Sequence, residues 1–99
     1  MEQIKRGEYR IIRTDGTETL IEEKPTLDRV RRAIGAESLD TVCLDKRTRT
    51  QVMVVDDTGM VDGKPVNPKA TALYHSICKP GTVFEIHGDV AICNDLDFE

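Results

Sequence analysis

The chain has 99 residues, of which 38% are hydrophobic and 32% charged, and a formal net charge of −4. Its length suits one domain over 1–99, and clustering of its apolar residues into short blocks excludes a disordered chain. The acidic balance argues against bulk electrostatic binding of nucleic acid, and the longest apolar run, Val52 to Val55, is too short to span a membrane.

Two strands are predicted first, at Tyr9 to Arg13 and at Thr17 to Ile21. The Asp15-Gly16 pair between them is a strong hairpin signal, because a type I′ turn needs positive φ at both central residues. A β-hairpin with this tight turn is therefore expected.

A short helix should follow, with Thr26 as its N-cap and Gly35 just beyond its last turn. Leu27, Val30 and Ile34 fall at i, i+3 and i+7 and so form one apolar face. A helix of about ten residues needs to pack on a sheet to be stable.

The next strands are predicted at Thr41 to Leu44 and Thr50 to Val55, joined by a basic loop over 45–49. The second strand contains a continuous apolar run rather than an alternating one. Such a run is typical of a strand with both faces covered.

Asn67-Pro68 predicts the start of a second helix, since Asn is a favoured N-cap and Pro is favoured at the first helical position. Two closing strands are predicted at Thr82 to Ile86 and Val90 to Cys93, as a hairpin or as one bulged strand, with 94–99 as a frayed acidic tail. The order ββαββαββ predicts an α+β fold, a mainly antiparallel sheet with two short helices packed on one face.

The three cysteines are odd in number and widely spaced, and no apolar stretch follows the charged start of the chain. Reduced thiols and a cytoplasmic setting are therefore expected.

Three segments in the second half carry a resemblance. They are the D-D-x-G turn at Asp56 to Gly59, the N-x-x-A-T-x-L helix start at Asn67 to Leu73, and the G-D-V-x-I strand at Gly88 to Ile92. The chain resembles a small domain family of unknown function found in phages, plasmids and other bacterial mobile elements. The resemblance implies an accessory or host-interaction factor and brings no catalytic residues.

The second helix supplies four candidate binding residues: Asn67, Thr71, Tyr74 and His75. Asn67 is explained by capping, but a helix N-terminus with Thr71 beside it also suits an anion such as phosphate. Tyr74 is expected at the edge of the core. His75 lies off the apolar stripe and should face solvent.

Basic residues supply the other five candidates: Arg29 and Arg32 on the first helix, and Lys46, Arg47 and Arg49 in the loop. They form either a solvated, mixed-charge surface or a local anion site, and the second requires them to converge in space.

No metal or cofactor is predicted. Asp56-Asp57 could be half of a divalent-ion site, but a turn beginning with Asp explains it. His75 and Cys78 are spaced i, i+3 without further ligands at zinc spacing.

The sequence predicts a non-enzymatic binding protein that inhibits or modulates a host protein through protein–protein contact. The alternative is a binder of a nucleotide-like anion, such as a signalling nucleotide, across a dimer. An enzyme is the third hypothesis, and no spacing of residues in the sequence indicates a catalytic site. Nucleic acid and membrane are not expected partners, and exposed strand edges leave homodimerisation open.

Overall fold

A computed structural model describes residues 4–44, 50–78 and 81–98. Its elements, in chain order, are β1 Tyr9–Ile12, β2 Glu18–Ile21, α1 Leu27–Ile34, β3 Leu39–Cys43, β4 Gln51–Asp56, α2 Pro68–Ile77, β5 Val90–Asn94 and a 3₁₀ helix Asp95–Phe98. The strands form one antiparallel sheet in the order β2-β1-β5-β4-β3. The predicted α+β class with a mainly antiparallel sheet is confirmed.

The two helices lie on opposite faces of the sheet, which corrects the prediction that both pack on one face. Val52 and Val54 of β4 pack with Val30 of α1, whereas Met53 and Val55 pack with Ala70 of α2. Successive side chains of a strand point to opposite faces, so the continuous apolar run of β4 needs a helix on each side.

The β1–β2 hairpin is confirmed, but its turn lies one residue earlier than a type I′ turn on Asp15-Gly16 would. The Gly16 N–H donates to the Arg13 carbonyl at 2.9 Å, and the Arg13 N–H donates to the Thr17 carbonyl at 2.9 Å. Thr14 and Asp15 are thus the central residues, and Gly16 follows at φ 89°. This is the three-residue loop in which glycine supplies the positive φ after the turn.

Helix α1 begins and ends where predicted. The Thr26 hydroxyl accepts from the Arg29 N–H at 3.1 Å, and Gly35 is left-handed at φ 65°. Val30 and Ile34 are buried, but Leu27 is 60% exposed, so the predicted apolar face is one residue shorter. Leu27 stands in the first turn, beyond the part of the helix that covers the sheet.

The predicted strand at Thr82 to Ile86 lies outside the sheet. Strand β5 is already paired with β1 on one side and β4 on the other, so it has no free edge to form a hairpin. Residues 81–87, here called the strap, instead run beside α2, and only Val66 and His87 form a β-bridge.

The end of the described chain is anchored rather than frayed. Asn94 belongs to β5, and the Asp97 carboxylate is buried and accepts from the Gly7 N–H at 3.0 Å. A buried acceptor for a backbone donor holds this acidic segment against the start of the fold.

Among the described residues, no helix has the length and apolar character needed to cross a bilayer.

Candidate functional site

A cleft of about 250 Å³ opens on the α2 side of the sheet, between the β3–β4 edge, the turn after β4, α2 and the strap. Its lining combines apolar and acidic side chains with one histidine: Val42, Val55, Met60, Tyr74, Phe84 and Ile86; Asp40, Asp56, Asp57 and Glu85; and His87.

The turn after β4 is fixed from within by Asp56. Its carboxylate accepts from the Thr58 N–H at 3.0 Å and forms an ion pair with Lys64. Burial alone would raise the pKa of the Asp56 carboxyl, but hydrogen bonds from Lys64 and Thr58 outweigh it and hold the pKa below its ordinary value. The Lys64 ammonium also donates to the Gly35 carbonyl at 2.7 Å, which joins this turn to the end of α1.

The turn and the strap touch backbone to backbone at Gly59. A Cβ on this residue would lie 2.8 Å from the His87 carbonyl oxygen, so only glycine fits. His87 Nδ1 lies 2.8 Å from the Lys64 carbonyl. A carbonyl only accepts, so Nδ1 carries the hydrogen.

Helix α2 holds the other side of the strap. The Thr71 hydroxyl accepts from the Ile86 N–H at 3.0 Å, and His75 Nε2 donates to the Phe84 carbonyl at 2.6 Å. The Tyr74 and Phe84 rings meet edge to face with centroids 6.0 Å apart. These contacts set the width of the cleft.

Two exposed apolar side chains line the cleft, and each has an exposed apolar neighbour in the chain. Met60 is 59% exposed and Phe84 52%, and their chain neighbours Val61 and Val83 are 84% and 86% exposed. These four residues are called the apolar rim. They account for four of the six large apolar side chains that are markedly exposed in the described part of the chain.

Three exposed carboxylates also line the cleft: Asp40, Asp57 and Glu85, here called the rim carboxylates. None of the three forms an ion pair with a residue that the structure describes. Asp56 differs, because Lys64 balances its charge. The cleft therefore presents net negative charge beside apolar surface.

The structure places the four α2 candidates in two different environments. Asn67 and Thr71 are buried and hydrogen-bonded within the fold, Asn67 to the Ala70 N–H and to two carbonyls. Tyr74 lines the cleft and His75 supports the strap beside it. A hydrogen bond with Cys78 raises the pKa of Tyr74.

The basic candidate residues that the structure describes do not lie beside the α2 candidates. Arg29 and Arg32 lie on α1, across the sheet from α2, where Arg29 faces Glu23 at 3.8 Å and Arg32 faces Asp28 at 3.2 Å. Lys46, Arg47 and Arg49 fall outside the described residues. The convergence that an anion site requires is thus not seen in the described part of the chain.

Asp56 is engaged in a turn, and Cys93 is a buried thiol. Asp56 begins a turn in which the Gly59 N–H donates to its carbonyl at 3.2 Å, as the turn interpretation requires. Within 4–44, 50–78 and 81–98, no three His, Cys, Asp or Glu side chains form a group that could hold a metal ion. Burial raises the pKa of Cys93 to about 12 and keeps that thiol protonated.

A second, more open groove of about 430 Å³ lies between the β1–β2 hairpin and α2. Its charged side chains pair with one another: Glu18 meets Lys69 at 2.8 Å and Arg10 at 3.6 Å. This groove offers little uncompensated charge to a ligand.

The sequence interpretation missed the apolar rim. Met60 and Val61 stand among glycines and aspartates that indicate turns, and Val83 and Phe84 stand in a predicted strand. Apolar residues inside a turn-rich segment were the one available signal, since a turn needs no apolar side chains for its own geometry.

No family model, curated protein or solved structure matches this chain. The resemblance to mobile-element domains therefore stays a prediction.

Proposed function

We propose that the protein is a non-enzymatic binding protein that contacts another protein through the apolar rim of the cleft. The partner is a host factor of the phage or mobile element that carries the chain, and binding inhibits or modulates it. The mobile-element origin comes from the sequence resemblance alone, and the contact surface comes from the geometry.

The observation that carries the proposal is the clustering of exposed apolar side chains. Met60 and Phe84 line one cleft at more than half exposure, and Val61 and Val83 beside them are nearly fully exposed. Single exposed apolar residues are common, but a grouped set rimmed by polar residues is typical of an interaction site.

The surface is also held in place before binding. Gly59 packs against the strap backbone, and Thr71 and His75 tie the strap to α2. A surface that is already ordered loses less conformational entropy on association, which favours binding by this face.

The anion-binding alternative has less support. The helix start at Asn67 is fully engaged within the fold, and the cleft beside α2 carries carboxylates that repel an anion. Thermal-shift measurements with a nucleotide panel distinguish the two hypotheses, because a nucleotide at 100 times its Kd would add about 2.7 kcal/mol of stability.

Quantitative affinity capture from bacterial lysate tests the proposal. The double variant Met60→Gln/Phe84→Gln should retain its partner at least tenfold less than the unchanged protein. The matched control is Leu20→Gln/Leu27→Gln, which alters two exposed apolar residues that do not line the cleft. A partner captured equally by both double variants, or no protein captured above background, would overturn the proposal.

A further inference from the structure

The lining of the cleft includes apolar residues with little exposure, and its volume is limited. Val55 and Ile86 are buried and Val42 is half-buried. A volume of about 250 Å³ corresponds to roughly eight water molecules. That space suits one long side chain of a partner rather than a whole helix. The methylene stem of such a side chain would replace water against the apolar walls.

The carboxylates that line the cleft favour a partner side chain with a positive charge. Asp40, Asp57 and Glu85 line the cleft without an ion pair to any described residue. Lys64, whose ammonium contacts Asp56 of the cleft, is already engaged by that carboxylate and by the Gly35 carbonyl. A cation from outside would therefore meet uncompensated negative charge.

Aromatic rings favour arginine over lysine. Tyr74 and Phe84 both line the cleft and meet edge to face. A guanidinium stacks on aromatic rings, donates hydrogen bonds to carboxylates from several N–H groups and is more weakly hydrated than an ammonium.

We infer that the cleft receives an arginine side chain presented by an apolar segment of the partner protein. Flanking apolar residues of that segment contact the apolar rim, and the guanidinium meets the rim carboxylates. The inference rests on the proposed function, which it narrows to partners with an arginine between apolar residues.

Three probes test the inference: acetylated tripeptide amides with arginine, citrulline or glutamate between two leucines. Binding is followed on the uniformly ¹⁵N-labelled full chain by two-dimensional ¹H–¹⁵N NMR at 50 mM and 500 mM salt. The arginine peptide should shift the amides of Asp57, Met60 and Phe84 and bind at least tenfold tighter than the other two. Its affinity should fall severalfold at high salt, because exposed charges are screened.

Charge variants locate the effect. Asp57→Asn/Glu85→Gln should weaken the arginine peptide at least fivefold and leave the citrulline peptide unchanged. The control Glu22→Gln/Asp95→Asn removes the same charge at exposed positions outside the cleft and should change neither. The amide spectrum of each variant reports that it is folded.

The outcomes separate the two proposals. Equal binding of the arginine and citrulline peptides, shifts confined to the β1–β2 groove, or no saturable shift at the cleft would each overturn the arginine inference. The proposed function would still stand or fall by the capture experiment with Met60→Gln/Phe84→Gln, which makes no assumption about charge.

Discussion

Asn67 makes more hydrogen bonds than a helix cap needs. Its Oδ1 accepts from the Ala70 N–H at 3.1 Å, and its Nδ2 donates to the Ile12 and Gly88 carbonyls at 3.0 Å each. The side chain is fully buried. One residue thus joins the start of α2 to the end of β1 and to the approach to β5.

Replacing Asn67 should therefore lower the free energy of unfolding more than replacing an ordinary helix cap. Thr26→Ala, at the exposed cap of α1, should lower the free energy of unfolding by about 1 kcal/mol. Asn67→Ala should lower it by about 3 kcal/mol, because two buried carbonyls also lose their donor. Urea denaturation of both variants checks this, and equal losses would contradict the linking role.

The Asp56–Lys64 pair gives stability a defined dependence on pH. The pKa of Asp56 is lowered in the folded protein, whereas in the unfolded chain it is about 3.9. The unfolded state therefore binds more protons as the solution is acidified. The contribution of the pair is present above about pH 4 and is lost as the pH falls through the folded pKa.

Asp56→Asn tests this dependence. At pH 7 the variant should unfold with a free energy lower by about 2 kcal/mol, and the deficit should shrink below pH 4. Asp57→Asn, which alters an exposed neighbour, should stay within about 0.5 kcal/mol of the unchanged protein. Denaturation curves between pH 2.5 and 7 measure both, and a deficit for Asp56→Asn that is the same at every pH would refute the argument.

At the scale of elements, the strap forms one wall of the cleft beside α2 and the sheet. It has no ladder of its own and depends on bonds to its neighbours: Ile86 to Thr71 and to Asn67, and Phe84 to His75. Its exposed Val83 and Phe84 are available at the surface because they do not pack under the sheet.

Thr71→Val should make the strap more mobile without creating a cavity in the core. The variant keeps the shape of the side chain but removes the hydroxyl that accepts from the Ile86 N–H. We expect hydrogen exchange of the Ile86 amide to become about fivefold faster, since a single hydrogen bond stabilises by about 1 kcal/mol. Thr71→Ser retains the hydroxyl and should exchange at nearly the original rate. Equal acceleration in both variants would show that the hydroxyl does not hold the strap.

At the scale of the whole molecule, segments far apart in sequence close the fold. The Ile4 N–H donates to the Gln51 side chain at 2.8 Å, and the Ile4 carbonyl accepts from the Asn94 side chain at 3.2 Å. Asp97 accepts from the Gly7 N–H and lies 3.9 Å from Arg6. The segments before β1 and after β5 are thus bound together at one end of the sheet.

Asp97→Ala should lower the free energy of unfolding by about 2 kcal/mol, because it removes a charged acceptor from a partly buried backbone N–H. Asp95→Ala, two residues away and exposed, should change it by about 0.5 kcal/mol or less. Guanidinium denaturation compares the two variants. A frayed segment, as the sequence predicted, would give equal and negligible effects.

Local signals were sufficient wherever a few adjacent residues decide the structure. The hairpin follows from Asp15-Gly16, α1 from Thr26 and Gly35, and α2 from Asn67-Pro68. Capping and turn formation depend on short-range hydrogen bonds and on φ, which neighbouring residue types largely set.

The sequence by itself thus determined the α+β class, the cap residues and an apolar β4. Only the tertiary structure decided that the helices take opposite faces, that residues 82–86 leave the sheet, and that Met60 and Phe84 line one cleft. Those outcomes depend on which strands flank β5, a choice made by pairing segments distant in sequence. The local pattern predicted the cap at Asn67 but not the cleft, because the cleft arises from that choice of strand pairing.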